Sequence, residues 1–203
     1  LNTYSGNFDL AVVDASSTGF ELPERFTGVG LARKIGFDLA LNFGHEKTVF
    51  CSLDADTLVS NEYLTTIAIS HSARKWRSAV INFMHQKSDD PEIEATIRLY
   101  ENFLKSTVSE LKQAGSPYAY HSIGSTIICT AEAYAAVGGM SRKKAGEDFY
   151  FLEKLAKYCE VCFISDELVF PSPRLSERVY LGTGTRMRDA KNGFDIGSLS
   201  YSK

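Results

Sequence analysis

Two aspartates one residue apart, Asp54 and Asp56, close the run Val49-Phe50-Cys51-Ser52-Leu53-Asp54-Ala55-Asp56-Thr57. Like charges held close repel, and a divalent cation relieves the repulsion while taking oxygen ligands. Such a cation can then hold a diphosphate. The residues in front of the pair decide whether it is placed for this. They are apolar, rich in β-formers and lack polar alternation, which reads as a buried strand of a parallel sheet. Side chains two apart on an extended backbone point the same way. The two carboxylates are therefore expected to lean into one volume at the strand's carboxyl end, where open α/β sheets bind ligands. A plainer reading stands beside this one: the pair can simply turn the chain and cap the next helix.

Three further places carry candidate chemistry. Phe8-Asp9-Leu10-Ala11-Val12-Val13-Asp14 reads as another apolar strand ending in a carboxylate, broken by Ala15-Ser16-Ser17-Thr18-Gly19. Asp14 can accept a hydrogen bond from a nucleobase or ribose, or form an Asx-turn with its own loop. Gly28-Val-Gly30 opens a helical pattern whose apolar face is Leu31, Ala32, Ile35, Leu39 and Ala40, with exposed N–H groups able to meet phosphate. Arg33 lies on that helix's polar side, as a solvated charge or as a donor to a diphosphate. Ala145-Gly146-Glu147-Asp148-Phe149 opens a further helix, and acids in a first turn are favoured by the helix dipole whatever else they do.

The elements that position these residues alternate. Helical patterns cover 61–75, 92–113 and 131–137, and apolar strands cover 78–84, 125–130, 161–165 and 168–170. The long helix from Glu92 to Gln113 follows a proline and ends at Ala114-Gly115-Ser116-Pro117. The aromatic loop around His121 precedes the strand at Ser125. His71 reads as a helix-packing or surface residue. Beyond Pro171-Ser-Pro173, the glycines 182, 184, 193 and 197 and the basic residues Arg174, Arg178, Arg186, Arg188 and Lys191 read as a flexible basic tail. One domain is expected over 1–203, with a nucleotide-sugar-binding part over 1–60, an acceptor and catalytic part over 61–170, and the tail over 171–203.

Bulk properties narrow the partners. Hydrophobic content of 44%, charged content of 23% and a net charge of −3 are those of an ordinary soluble globular chain of 203 residues. No long basic run points to nucleic acid, and no apolar stretch approaches the ~20 residues a bilayer requires. Cys51 and Cys129 sit inside apparent strands, which suits buried, reduced thiols and a cytoplasmic protein. Cys159-Glu-Val-Cys162 has redox-like spacing but no second pair to complete a zinc site.

The ordered set of these segments is more specific than any one of them. Strand–Asp14, Gly-Val-Gly-Leu-Ala-Arg33, Ser-Leu-Asp54-Ala-Asp56, Gly124-Ser-Thr-Ile-Ile…Glu132-Ala-Tyr…Gly138-Gly139-Met and Gly146-Glu147-Asp148-Phe149 together resemble the family 2 glycosyltransferases over roughly Phe8 to Leu155. The resemblance implies the GT-A fold, a Rossmann-like α/β domain with a mostly parallel central sheet flanked by helices. It implies inverting transfer from a nucleotide-diphosphate sugar to a saccharide or lipid-linked acceptor, the latter at the inner face of the membrane. Carried over residue by residue, Asp14 contacts the base and Arg33 lies on the donor side. Asp54 contacts the ribose or reaches the metal through water, and Asp56 coordinates Mn2+ or Mg2+. Asp148 is the general base, with Glu147 beside it. The family's usual opening strand and helix have no counterpart before Asn7, Ala15 and Lys34 stand where Asp and Asn are common, and the Gln-x-x-Arg-Trp motif of processive synthases is absent. A nucleotidyltransferase and a non-catalytic binding or scaffold domain of the same architecture are the alternatives.

Overall fold

The apolar runs 78–83 and 127–130 become strands buried on both faces. A computed structural model describes residues 8–23, 27–143, 145–175 and 182–199. Its strands are β1 (Val49–Cys51), β2 (Leu58–Val59), β3 (Ser78–Phe83), β4 (Ile127–Thr130) and β5 (Val161–Phe170), forming one sheet in the order β1-β4-β3-β5-β2. Along β3, Ala79, Ile81 and Phe83 face one hydrophobic cluster with Tyr63, Ile67, Ile128 and Val169, whereas Val80 faces another with Phe50, Cys129, Tyr134 and Leu152. The two clusters are the two sides of the sheet.

The mostly parallel sheet expected from the sequence is corrected here. Among the described residues only β3 and β5 run parallel; β1–β4, β3–β4 and β2–β5 are antiparallel. The physical reason lies in what an unbroken apolar run reports. It reports burial on two faces, and all four residues of β4 are buried. It carries no information on direction, which the connections set. A second expectation also changes: residues 8–14 form no strand, and Phe8, Leu10 and Val12 are more than half exposed. An apolar segment becomes a strand only where a neighbour takes its backbone hydrogen bonds, and among the described residues β1 pairs with β4 alone. The two short strands expected over 161–170 are one strand, with the ladder to β3 shifting register around Asn82.

Among the described residues the α-helices are α1 (Val29–Ala40), α2 (Tyr63–Arg74), α3 (Pro91–Gln113), α4 (Ala131–Ala136), α5 (Glu147–Tyr158) and α6 (Thr183–Lys191). The ends of α3 follow from its sequence. Asp90 accepts hydrogen bonds from the Glu92 and Ile93 amides at 2.9 and 3.3 Å, Pro91 opens the first turn, and the helix stops at Gln113. Thr130 caps α4 in the same way. In the segment read as a flexible tail, α6 and the turn Ile196–Ser198 place Met187 and Ile196 against Ile97 and Tyr100 of α3. The basic residues had masked an apolar pair. Arg178, the segment 200–203 and the residues before Phe8 lie outside the described residues. Among the described residues, no helix is long and apolar enough to cross a membrane.

Candidate functional site

The strand β1 delivers Asp54 to a junction with β4. Ser52 N donates to Ile127 O at 3.0 Å, keeping the two chains paired past the end of the strand. Because β4 runs antiparallel, the end of β1 meets the start of β4 and the helical turn Gly124–Thr126 in front of it. Ser125 Oγ accordingly donates to Asp54 Oδ2 at 2.7 Å and lies 3.0 Å from Thr57 Oγ1. The backbone between the two aspartates is a turn, closed by Thr57 N donating to Asp54 O at 3.0 Å. The expected extended spacing, with both side chains on one side by alternation, therefore does not hold.

Arg33 is the hub of the site. Its guanidinium donates from Nη2 to Asp54 Oδ1 and from Nη1 to Glu147 Oε1. Two glycines make room for it. At Gly30, one turn earlier in α1, an added Cβ would meet the carbonyls of Ser141 and Lys143 and the Cβ of Glu147, so α1 packs tightly on the approach to α5. At Gly124 an added Cβ would fall directly on the guanidinium. The Arg33 side chain is only 10% exposed, and its Nε has no hydrogen-bond partner among the described residues.

Glu147 and Asp148 open α5, so the first turn brings both acids to the same place. Burial pushes the Glu147 carboxyl above its ordinary range, Asp148 adds to the rise, and Arg33 opposes it. Burial likewise raises Asp148, against its hydrogen bond from the Phe149 amide and the charge of Arg33, while Asp54 adds to the rise. Asp54, Arg33, Glu147 and Asp148 thus form one electrostatic group drawn from three distant segments. A carboxylate whose proton is held more tightly than usual is suited to accepting a proton at neutral pH.

Asp56 sits apart from that bridge, in an ion pair with Arg174 Nε. Gln86 holds the two segments together: its Nε2 donates to Asp56 O and to Phe170 O, each at 2.8 Å. Among the described residues no group of three or more His, Cys, Asp or Glu gathers as a metal-ligand set. A hard divalent ion needs less from the protein when phosphate and water supply the remaining oxygens. Asp56, its side chain 34% exposed, fits that partial role, with Arg174 sharing its charge. Asp14 is exposed and accepts hydrogen bonds from the amides of Ser16 and Ser17, the Asx-turn alternative; these bonds hold its carboxyl below the ordinary range. No contact joins it to the Arg33 group among the described residues. His121 is buried between Phe83 and Phe163, its pKa lowered to about 4 by burial, and His71 packs edge-on against Trp76.

Gln86 was not singled out by the sequence; Gly124 and Ser125 stood there only as part of the Gly124-Ser-Thr-Ile-Ile segment, and Arg174 only among the basic residues of the tail. Their roles depend on which strand lies beside which, and one signal was present: a glycine and two hydroxyls immediately before a buried strand. Compared with known proteins, the chain matches no family model, no curated protein and no solved structure. The class that fold and site define is therefore a mixed α/β protein with an arginine-bridged acid cluster at the end of β1.

Proposed function

We propose that this protein is an inverting glycosyltransferase of GT-A type, moving a sugar from a nucleotide-diphosphate sugar to an acceptor hydroxyl. The observation that carries the reading is the meeting of Asp54, Arg33 and Glu147, with Asp148 beside them, just past the end of β1, the strand at the β4 edge of the sheet. These are the segments on which the resemblance rests, and they lie up to 115 residues apart, from Arg33 to Asp148 (148 − 33). Asp54 and Arg33 form the wall for the donor's ribose and phosphates. Asp148 accepts the acceptor's hydroxyl proton as that oxygen attacks the anomeric carbon and the bond from that carbon to the diphosphate oxygen breaks. Glu147 and Ser125 hold Arg33 and Asp54 in place. Asp56 would hold a Mn2+ or Mg2+ ion, which would supply charge stabilisation for the departing diphosphate.

The test is release of nucleoside diphosphate by the full chain from a panel of UDP-, GDP- and dTDP-sugars with Mn2+ and candidate saccharide acceptors or water. Turnover of one donor, with inversion at the anomeric carbon, is the expected result. Pyrophosphate release from a nucleoside triphosphate and a sugar phosphate would point to a nucleotidyltransferase instead. A second reading is favoured by the pairing of both Asp54 and Asp56 with arginines: a non-catalytic domain whose acids serve structure. Absence of UDP and GDP binding in calorimetry, with and without Mn2+, would support it.

A further inference from the structure

Just past the end of β3 the chain buries a histidine whose two ring nitrogens are both engaged. His85 is fully buried. Its Nδ1 lies 2.9 Å from Glu101 Oε1 on α3, and its Nε2 lies 3.3 Å from Thr183 Oγ1 in the first turn of α6. Carboxylate, imidazole and hydroxyl therefore stand in one hydrogen-bonded series, and Thr183 comes to it from 98 residues away from His85.

The charge on Glu101 decides where the ring proton sits. Burial opposes ionisation of its carboxyl, but His85 and Arg98 outweigh burial and hold the carboxyl at about 2. An ionised carboxylate only accepts hydrogen bonds, so Nδ1 carries the proton and Nε2 keeps its lone pair. The Thr183 hydroxyl then donates to Nε2. The surroundings fix this arrangement from several sides. Glu101 Oε1 also accepts from the His85 amide, Oε2 accepts from Arg98 Nη1 at 2.8 Å, and Arg98 Nη2 donates to the His85 carbonyl at 3.0 Å. Phe83 packs edge-on against the ring, with centroids 5.4 Å apart. A base oriented by a third group and bonded to a hydroxyl is the arrangement that activates a weak nucleophile. Of the three groups, only Thr183 is partly exposed. It follows Gly182, which has no side chain to cap α6, and Gly184 N stands ahead of the first bond within the helix, from Arg186 N to Gly182 O at 3.1 Å. An amide in that position has no acceptor inside its own helix and is suited to a developing oxyanion.

We propose that Thr183, His85 and Glu101 form a second site, sharing no residue with the Arg33 cluster, that takes the acyl group of a carboxylic ester: Thr183 is the nucleophile, His85 the general base, and Glu101 the positioning residue that holds the imidazole. Thr183 Oγ1 bonds to the acyl carbon as its proton passes to His85 Nε2, and the bond from that carbon to the alcohol oxygen breaks. The proton leaves with the alcohol. Water, deprotonated by the same nitrogen, then splits the acyl-threonine into carboxylic acid and free hydroxyl. The inference is independent of the donor-site reading, and neither falls with the other.

The test treats the full chain with p-nitrophenyl acetate and locates acetyl groups by peptide mass spectrometry. The wild type is expected to carry acetyl on Thr183 and to release p-nitrophenol in a burst. Thr183→Val keeps the shape, loses the hydroxyl and is expected to lose the burst; Thr183→Ser is expected to retain it. His85→Gln removes the base and is expected to slow acetylation at Thr183 about 100-fold. Glu101→Gln is expected to slow it as well, since an amide no longer dictates which ring nitrogen carries the proton. Heteronuclear NMR of the His85 ring in the wild type needs no variant to fold, and a proton on Nδ1 with a bare Nε2 is the expected signature. A proton on Nε2, no acetyl on Thr183 in the wild type, or an acetylation rate that folded His85→Gln and Glu101→Gln leave unchanged overturns the inference and leaves the three groups as contacts that dock α6 on α3.

Discussion

Two arginines in this molecule each sit between two carboxylates, and the surroundings of the two differ in one respect. Arg98 donates to Glu94 Oε1 and Glu101 Oε2, each at 2.8 Å, and to the His85 carbonyl at 3.0 Å. Glu101 also accepts from the His85 amide and lies 2.9 Å from His85 Nδ1. Burial alone would raise the Glu101 carboxyl, yet His85 and Arg98 hold it down at about 2. Around Arg33 the balance runs the other way: Glu147 and Asp148 stand above their ordinary range. In one region every buried charge has donors enough. In the other, three acids crowd one buried arginine. A folded chain gains stability from the first arrangement and loses some to the second, and acids held at such a cost are the usual mark of a working site.

The largest expected effect breaks the comparison at Asp148. Asp148→Asn removes the carboxylate proposed as the proton acceptor and is expected to lower transfer by about 10³-fold while donor binding changes little. The same change is expected to raise the melting temperature. A carboxyl whose pKa is raised on folding is disfavoured in its ionised form, so its penalty on the fold grows as pH rises through that pKa; asparagine carries no charge to penalise. Loss of both activity and stability would make Asp148 structural. With the wild type, kcat/KM is expected to climb with pH through a limb lying above the ordinary aspartate range.

At Arg98 the signs reverse. Glu101→Ala leaves the His85 amide without its acceptor and takes one acceptor from the half-buried Arg98 guanidinium, and is expected to cost about 1–3 kcal/mol, read by urea unfolding at neutral pH. The pH dependence follows from the lowered carboxyl. Its contribution is present above an ordinary glutamate pKa of about 4.5 and is lost as pH falls from there towards 2. Wild-type stability is therefore expected to drop over that window, and Glu101→Ala is expected to flatten it. An unchanged acid limb in the variant would remove Glu101 from the account.

The contrast also explains what could be read in advance. The Arg98 pairs with Glu94 and Glu101 are four and three residues apart on one helix, a spacing that any amphipathic pattern exposes. Glu147 and Asp148 were legible as first-turn acids, and Asp54 as the end of an apolar run, because both are local features. The bridge between them was not, since it depends on β4 entering antiparallel between β1 and β3 and carrying Ser125 and Gly124 to Asp54. Direction is invisible in a strand buried on both faces. The helix α6 was obscured for a different reason: basic residues outnumber the apolar Met187, Ala190, Ile196 and Leu199, by which α6 and the turn after it pack on α3.

The smallest expected effects come from a pair of glycines that differ only in what lies above them. Gly36 is one turn along α1 from Arg33, and an added Cβ there meets nothing within 4 Å. Gly36→Ala is expected to stabilise the protein by about 0.5–1 kcal/mol through helix propensity, with nucleotide affinity unchanged. Gly124 lies under the Arg33 guanidinium, so Gly124→Ala must move that group off Asp54, Glu147 or both. The backbone pays roughly 1–2 kcal/mol for the overpacking. Binding of UDP or GDP with Mn2+ is expected to weaken about tenfold, the value of one charged hydrogen bond. Because Arg33 also opposes the rise of Glu147 and Asp148, its displacement is expected to push the acid limb of kcat/KM to still higher pH. A Gly124→Ala protein with an unshifted limb would mean that Arg33 balances the structure of α1 against α5 and has no part in setting the protons of the two acids.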